Sequence, residues 1–131
     1  YTAVDKAETD TDSANLMNGY AVGNLAAAAK RVGAKFLHVS TDYVFDGNGT
    51  QPYLEDDTTN PVNAYGRSKL LGEQLALQEH PESMVVRTSW VYSRYGANFV
   101  KTMIRLMLSR PQIGVVHDQT GCPTHATSLA A

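Results

Sequence analysis

Apolar and small residues recur near a helical period from Ala14 to Lys30, with Leu16, Tyr20, Leu25 and Ala28 as the larger or better-spaced members. This pattern predicts a helix, entered through an acidic, polar stretch in which Thr11, Asp12 and Ser13 are candidate N-caps. Lys30 and Arg31 suit its last turn, and Gly33 is a natural stop. Phe36 to Ser40 then reads as a short buried strand, and Thr41 to Ala64 as a long connection containing proline and glycine. The helical pattern returns from Tyr65 to His80, where Pro81 ends it. Met84 to Thr88 predicts a second buried strand. Asn98 to Ser109 predicts a third helix whose apolar side, Phe99, Met103, Leu106 and Met107, is expected to be core. Ile113 to Val116 predicts a third strand, and the chain then passes through a loop toward another helix.

Alternation of helix and strand implies crossover connections and a parallel sheet, so the expected fold is α/β, doubly wound and Rossmann-like. Ligands in such sheets sit beyond the carboxyl ends of the strands, where Ser40 to Tyr43 and Thr88 to Tyr92 fall. A dinucleotide-binding fold also has a glycine-rich turn that holds the pyrophosphate on a helix N-terminus. No G-x-G-x-x-G occurs among residues 1–131. The expectation is therefore an internal piece of a longer protein, part of one nucleotide-binding domain.

Charge and composition narrow the class without naming a function. The net charge is −2 with both signs dispersed, which argues against nucleic acid or an anionic membrane as partner. No apolar run approaches a membrane span and no cationic-apolar leader is seen. The single cysteine, Cys122, forms no internal disulfide; a cytoplasmic setting is expected.

The candidate chemistry centres on Tyr65 and Lys69 in Y-G-R-S-K, which share a helix face at this spacing. A lysine ammonium beside a phenol favours the phenolate, so Tyr65 is expected to serve as acid or base below its ordinary pKa of about 10. Thr41 or Ser40, at the end of a strand, supplies a hydroxyl for the same substrate oxygen. The simpler readings are an exposed helix pair for the first two and strand-end capping for the hydroxyls. Trp90 reads equally as core, Asp42 as a turn acceptor, Asn98 as an N-cap, and Tyr43 and Tyr92 as structural. Asn18 and Asn24 on the Ala-rich helix are expected to tie backbone groups near a site. Cys122 reads as a packed thiol, and Glu55, Asp56 and Asp57 as a solvated loop. The four histidines show no metal-ligand spacing, so no metal site is expected in the chain.

The ordered motifs Y-T-A-V-D-K-A-E, H-V-S-T-D-Y-V-F-D-G, P-V-N-A-Y-G-R-S-K-L-L-G-E, V-R-T-S-W-V-Y, N-F-V-K-T-M and D-Q-T-G-C-P-T span nearly the whole chain. Together they resemble the extended short-chain dehydrogenase/reductase family, in particular its reductases of dTDP-linked 4-keto-6-deoxy sugars. The resemblance implies NADPH or NADH as hydride donor and a dTDP-sugar as substrate. It makes Tyr65 the general acid, has Thr41 orient the carbonyl oxygen, and has Lys69 hold the nicotinamide ribose. Ser40 and Ala3 would lie along the cofactor, and Val4, Asp42, Tyr43, Trp90 and Asn98 would meet the sugar nucleotide. Family members form dimers, and any Mg2+ at the dimer contact would be held by residues outside this chain. Two other readings use the same residues: an NDP-sugar epimerase or dehydratase with retained cofactor, and a non-catalytic regulatory subunit like the β-subunit of methionine adenosyltransferase. Asp42 is followed by Tyr43 and not by a second acid, which weighs against dehydration.

Overall fold

A computed structural model describes residues 1–131, which divide into two compact units, Tyr1–Arg87 and Thr88–Ala131. The first opens with a short helix α1 (Val4–Ala7), followed by α2 (Thr11–Asn15), a π-helical turn (Leu16–Tyr20) and α3 (Ala21–Arg31). Its later elements are strand β1 (Leu37–Thr41), a 3-10 turn (Asp42–Val44), α4 (Ala64–Glu79) and strand β2 (Met84–Thr88). The N-cap of α2 is Asp10, so Thr11, Asp12 and Ser13 lie inside the helix that they were expected to cap.

The π turn is where this helical run meets α4. A Cβ on Gly19 would strike Leu71, one on Gly72 would strike the backbone carbonyl of Asn18, and one on Gly23 would crowd Leu75. Glycine on both partners thus brings the two backbones together, and Val22, Ala26 and Ala76 close the gap with Phe36 packed alongside. Gly33, at φ 67°, ends α3 in the left-handed region. Ala34 N–H donates to the Ala29 carbonyl at 2.9 Å and Gly33 N–H to the Lys30 carbonyl at 3.1 Å, which is a Schellman stop.

Strands β1 and β2 are neighbours in one sheet, with α4 forming the connection between them. Asn63 caps α4 by accepting from Gly66 N–H at 2.7 Å. The helix stops at Glu79, two residues before Pro81, in keeping with the extended bias of the residue preceding proline. This β-α-β unit sets the carboxyl end of β1 beside the first turns of α4 and so positions the site.

The second unit holds strand β3 (Val91–Tyr92), α5 (Phe99–Ser109), strand β4 (Thr124–His125) and α6 (Ala126–Leu129). β3 and β4 pair in parallel, Val91 with Thr124 and Tyr92 with His125. Two expectations are corrected here. Ile113 to Val116 forms no strand, because the ladder of this unit is made by other residues. The stripe on α5 is not core: none of its residues is buried, and Phe99 and Met107 are 64% and 59% exposed. No helix is long and apolar enough to cross a membrane.

Candidate active site

Ser40 and Thr41 end β1 and are both buried, 4% and 6% exposed. The Thr41 hydroxyl accepts from Tyr43 N–H at 3.3 Å and donates to the Asp42 carboxylate at 3.2 Å, which turns the chain sharply after the strand. The Ser40 hydroxyl is buried with no hydrogen-bond partner, an unpaired polar group of the kind that marks a ligand contact. Partial desolvation pushes the Asp42 carboxyl above the usual range, against hydrogen bonds from Thr41 and the backbone.

Tyr65 lies on the first turn of α4, its ring edge-on to Tyr43 at 5.7 Å and 81° and packed on the cluster Ala7, Ala14 and Ala64. A Cβ on Gly66 would run into the Tyr43 carbonyl, so a glycine there is what lets this turn approach the strand end. Burial pushes the Tyr65 phenol up; the Thr41 hydroxyl opposes this, and Asp42 and Tyr43 add to it. That corrects the expectation of a lowered value. The Lys69 ammonium donates instead to the Val39 carbonyl at 2.7 Å and lies 3.4 Å from His38 Nε2, so it does not offset the desolvation of the phenol. Burial lowers the Lys69 pKa, and Glu73, one turn along α4, counters that.

The helix that carries both residues is held from several sides. Asn18, in the π turn, donates from Nδ2 to Ser68 Oγ at 3.0 Å and to the Tyr1 carbonyl at 3.0 Å, and its Oδ1 accepts from the Tyr1 nitrogen at 3.0 Å. Ser68 Oγ in turn donates to the Tyr65 carbonyl at 2.7 Å. Glu8 accepts from Ala64 N–H at 2.7 Å at the start of α4 and pairs with Arg67 at 3.7 Å. Buried Glu73 takes two parallel hydrogen bonds from Arg87, Nε to Oε1 at 3.1 Å and an Nη to Oε2 at 2.7 Å, and the guanidinium lies 5.0 Å from the Phe45 ring centre.

A family profile described as the RmlD substrate binding domain matches residues 1–131. The chain belongs to this family. It is 54% identical over 99% of its length to a dTDP-4-dehydrorhamnose reductase of Burkholderia thailandensis, of which it covers 44%. It is 47% identical to the spore coat polysaccharide biosynthesis protein SpsK of Bacillus subtilis, covering 46% of that protein. Its fold superposes on a Bacillus anthracis dTDP-4-dehydrorhamnose reductase solved in complex with NADP, with TM-score 0.95, 48% identity, and 98% and 46% of the two chains covered. The Clostridium acetobutylicum reductase gives TM-score 0.96 at 48% identity, with 99% and 46% covered. The α/β, Rossmann-like class expected from the sequence is thereby shown. The chain spans a little under half the length of these relatives.

Within the first unit of this RmlD-family chain, Ser40, Thr41, Asp42, Tyr43, Tyr65 and Lys69 gather where β1 meets α4. Ala3, whose carbonyl accepts from Ala7 N–H, and Val4 stand at the start of α1. Trp90 and Asn98 belong to the second unit. Trp90 is no core residue: it is 46% exposed, sits at φ 47°, and has Gly121 packed against its indole. Asn98 is an N-cap, accepting from Lys101 N–H at 3.1 Å and donating to the Ser93 carbonyl at 2.6 Å. Cys122 is exposed and not packed. Sequence reasoning missed Glu8, His38, Ser68 and the Glu73–Arg87 pair. Glu73 and Arg87 carried a signal, since a charged residue on the inner face of a helix or in a strand rarely stays unpaired. The other three depend on long-range contacts.

Proposed function

We propose that the full-length protein carrying this chain reduces the C4 keto group of dTDP-4-dehydro-6-deoxy-L-mannose to give dTDP-L-rhamnose, with NADPH or NADH as reductant. The observation that carries the proposal is the meeting of Thr41, Tyr65 and Lys69 at the carboxyl end of β1, in a chain about half identical to reductases of that name. Both units would belong to one nucleotide-binding domain completed elsewhere in the longer protein.

The residues present fit a nicotinamide nucleotide. Lys69 presents an ammonium to the Val39 carbonyl, the residue before Ser40 with its unpaired buried hydroxyl, and an ammonium and a hydroxyl both suit ribose and carboxamide groups. Lys69, Tyr65, Ser40 and the backbone at Ala3 would hold it. When bound, the nicotinamide supplies a hydride to C4. Thr41 would orient the carbonyl oxygen by turning its hydroxyl proton from Asp42 to that oxygen, and Tyr65 gives its phenolic proton to the same oxygen as it becomes an alkoxide. The raised pKa keeps the phenol protonated in the resting site, which is the form a reductase needs from its acid. In the first unit Val4, Asp42 and Tyr43 would meet the sugar nucleotide; in the second, Trp90 offers a flat, exposed indole suited to a sugar or base face, and Asn98 caps the start of α5.

A dTDP-sugar is the proposed partner, a cytoplasmic site the proposed setting, and a homodimer the proposed assembly. The test is to supply the full-length protein with the 4-keto sugar nucleotide and NADPH deuterated at the transferred position. Deuterium at C4 of a rhamnosyl product supports the reading. An isomerised or dehydrated sugar without net NADPH oxidation would replace it with the retained-cofactor chemistry, and tight NADPH binding without turnover would favour a regulatory subunit.

A further inference from the structure

His38 is the one imidazole that touches this site. It stands on β1, half-buried, with Nε2 3.4 Å from Lys69 Nζ. An ammonium has three N–H donors and no acceptor, so facing it Nε2 must be the unprotonated nitrogen and the ring proton must sit on Nδ1. The neighbouring Val39 carbonyl takes a second of the three donors at 2.7 Å. Two acceptors from consecutive residues of one strand therefore fix the ammonium, and its third N–H is left for a ligand hydroxyl. The charged groups around the ring are Lys69 and Glu73 on α4, with Glu73 neutralised by Arg87 of β2. A Cβ at Gly72 would stand 3.4 Å from His38 Nε2, so α4 passes the imidazole within about one side-chain atom's reach. Burial and the Lys69 charge hold the His38 pKa down to about 4, in keeping with a neutral acceptor.

We infer that His38, as a neutral imidazole protonated on Nδ1, is a positioning residue that aims the Lys69 ammonium at the nicotinamide ribose. The inference rests on the reading above only in naming the ribose; the hydrogen bond itself stands apart from turnover. Neutral imidazoles free of such a partner favour the proton on Nε2, so the tautomer is diagnostic.

The test uses full-length protein with 15N-labelled histidine, read by long-range 1H–15N spectra at pH 7, with the His38 signal assigned by its loss in His38→Gln. Wild type should show a proton on Nδ1, and Lys69→Met should return the ring to the Nε2-protonated form. NADPH titration should show His38→Phe weakened about tenfold, with most of the affinity recovered by His38→Gln, whose amide oxygen accepts. The KM for the sugar nucleotide should not change. An Nε2-protonated ring in wild type, or a tautomer indifferent to Lys69→Met, would overturn the inference, as would unweakened NADPH binding by His38→Phe. Should the Phe variant not fold, the tautomer and the Gln variant decide. The expected tautomer in a protein that reduces no sugar would sink the reductase reading and leave the His38–Lys69 contact standing.

Discussion

Asn18 donates its side-chain amide to Ser68 Oγ at 3.0 Å across 50 positions of sequence, and Ser68 passes a hydrogen bond to the Tyr65 carbonyl. A residue of the π turn thereby holds the backbone of the proposed acid, and does so from a helix whose register is shifted at that point. π-helical insertions are frequent at functional sites because the extra residue redirects a side chain. Here the redirected side chain is Asn18, which also satisfies both backbone groups of Tyr1.

Replacing Asn18 with Ala should therefore destabilise the protein by about 2 kcal/mol, since the buried Ser68 hydroxyl loses its donor and the half-buried backbone of Tyr1 loses both its contacts. Urea unfolding measures this. Ser68→Ala should cost less, and the double variant should cost less than the two single ones together, because both remove the same hydrogen bond.

Gly66→Ala should be far more damaging than Gly33→Ala, although only Gly33 has a positive φ. At Gly33, φ is 67° with nothing within 4 Å, so the cost is the backbone penalty alone, about 1 kcal/mol. At Gly66 the new methyl meets the Tyr43 carbonyl and forces the Tyr65 turn away from the strand end. Thermal melts and NADPH oxidation of the two full-length variants should separate them, with Gly66→Ala losing both stability and activity.

Much of this arrangement was legible in the sequence, and for a local reason. The second strand matches Met84 to Thr88 in its bounds though none of its residues is fully buried, and α4 differs from its expectation by one residue at each end, because Asn63 and Pro81 act within a few residues of the ends they set. The first strand lies one residue later than expected and is not buried throughout: Ser40 and Thr41 are covered, but Leu37 and Val39 are 52% and 44% exposed, because only the α4 side of this two-stranded sheet is packed in the chain. The π turn was not legible, since its cause is the fit of Asn18 and Gly19 against Leu71 and Gly72, more than 50 residues on. The partners of Lys69 were missed for the same reason. Periodicity also named a face on α5 but not what covers it, and three apolar residues among Ile113 to Val116 do not make a strand without a neighbouring backbone to pair with.

The Glu73–Arg87 pair should behave as a buried ion pair. Arg87→Met should cost about 3 kcal/mol, because it leaves the Glu73 carboxylate buried without its counter-ion. Adding Glu73→Gln should restore a large part of that loss. Urea unfolding of the single and double variants checks the order; a double variant no better than Arg87→Met would show that packing on Phe45, and not charge, is what Arg87 supplies.

His38 also sets a pH dependence of stability. Its folded pKa of about 4 lies below the ordinary 6.5, so between those values the unfolded chain binds the proton and the folded chain does not. This contribution is complete above pH 6.5, falls as the pH drops toward 4, and changes no further below it. The difference in unfolding free energy between wild type and His38→Gln should therefore shrink or reverse across that window. Urea titrations at pH 7, 5.5 and 4.5 report it, and a difference that stays constant would contradict it.

The most direct test of the central claim is NADPH oxidation at 340 nm by the full-length protein with dTDP-4-dehydro-6-deoxy-L-mannose, wild type against Tyr65→Phe. Removing the general acid should lower kcat by about 10²- to 10⁴-fold while NADPH binding stays intact. A Tyr65→Phe protein that turns over as the wild type does would contradict the assignment of Tyr65 as the proton donor.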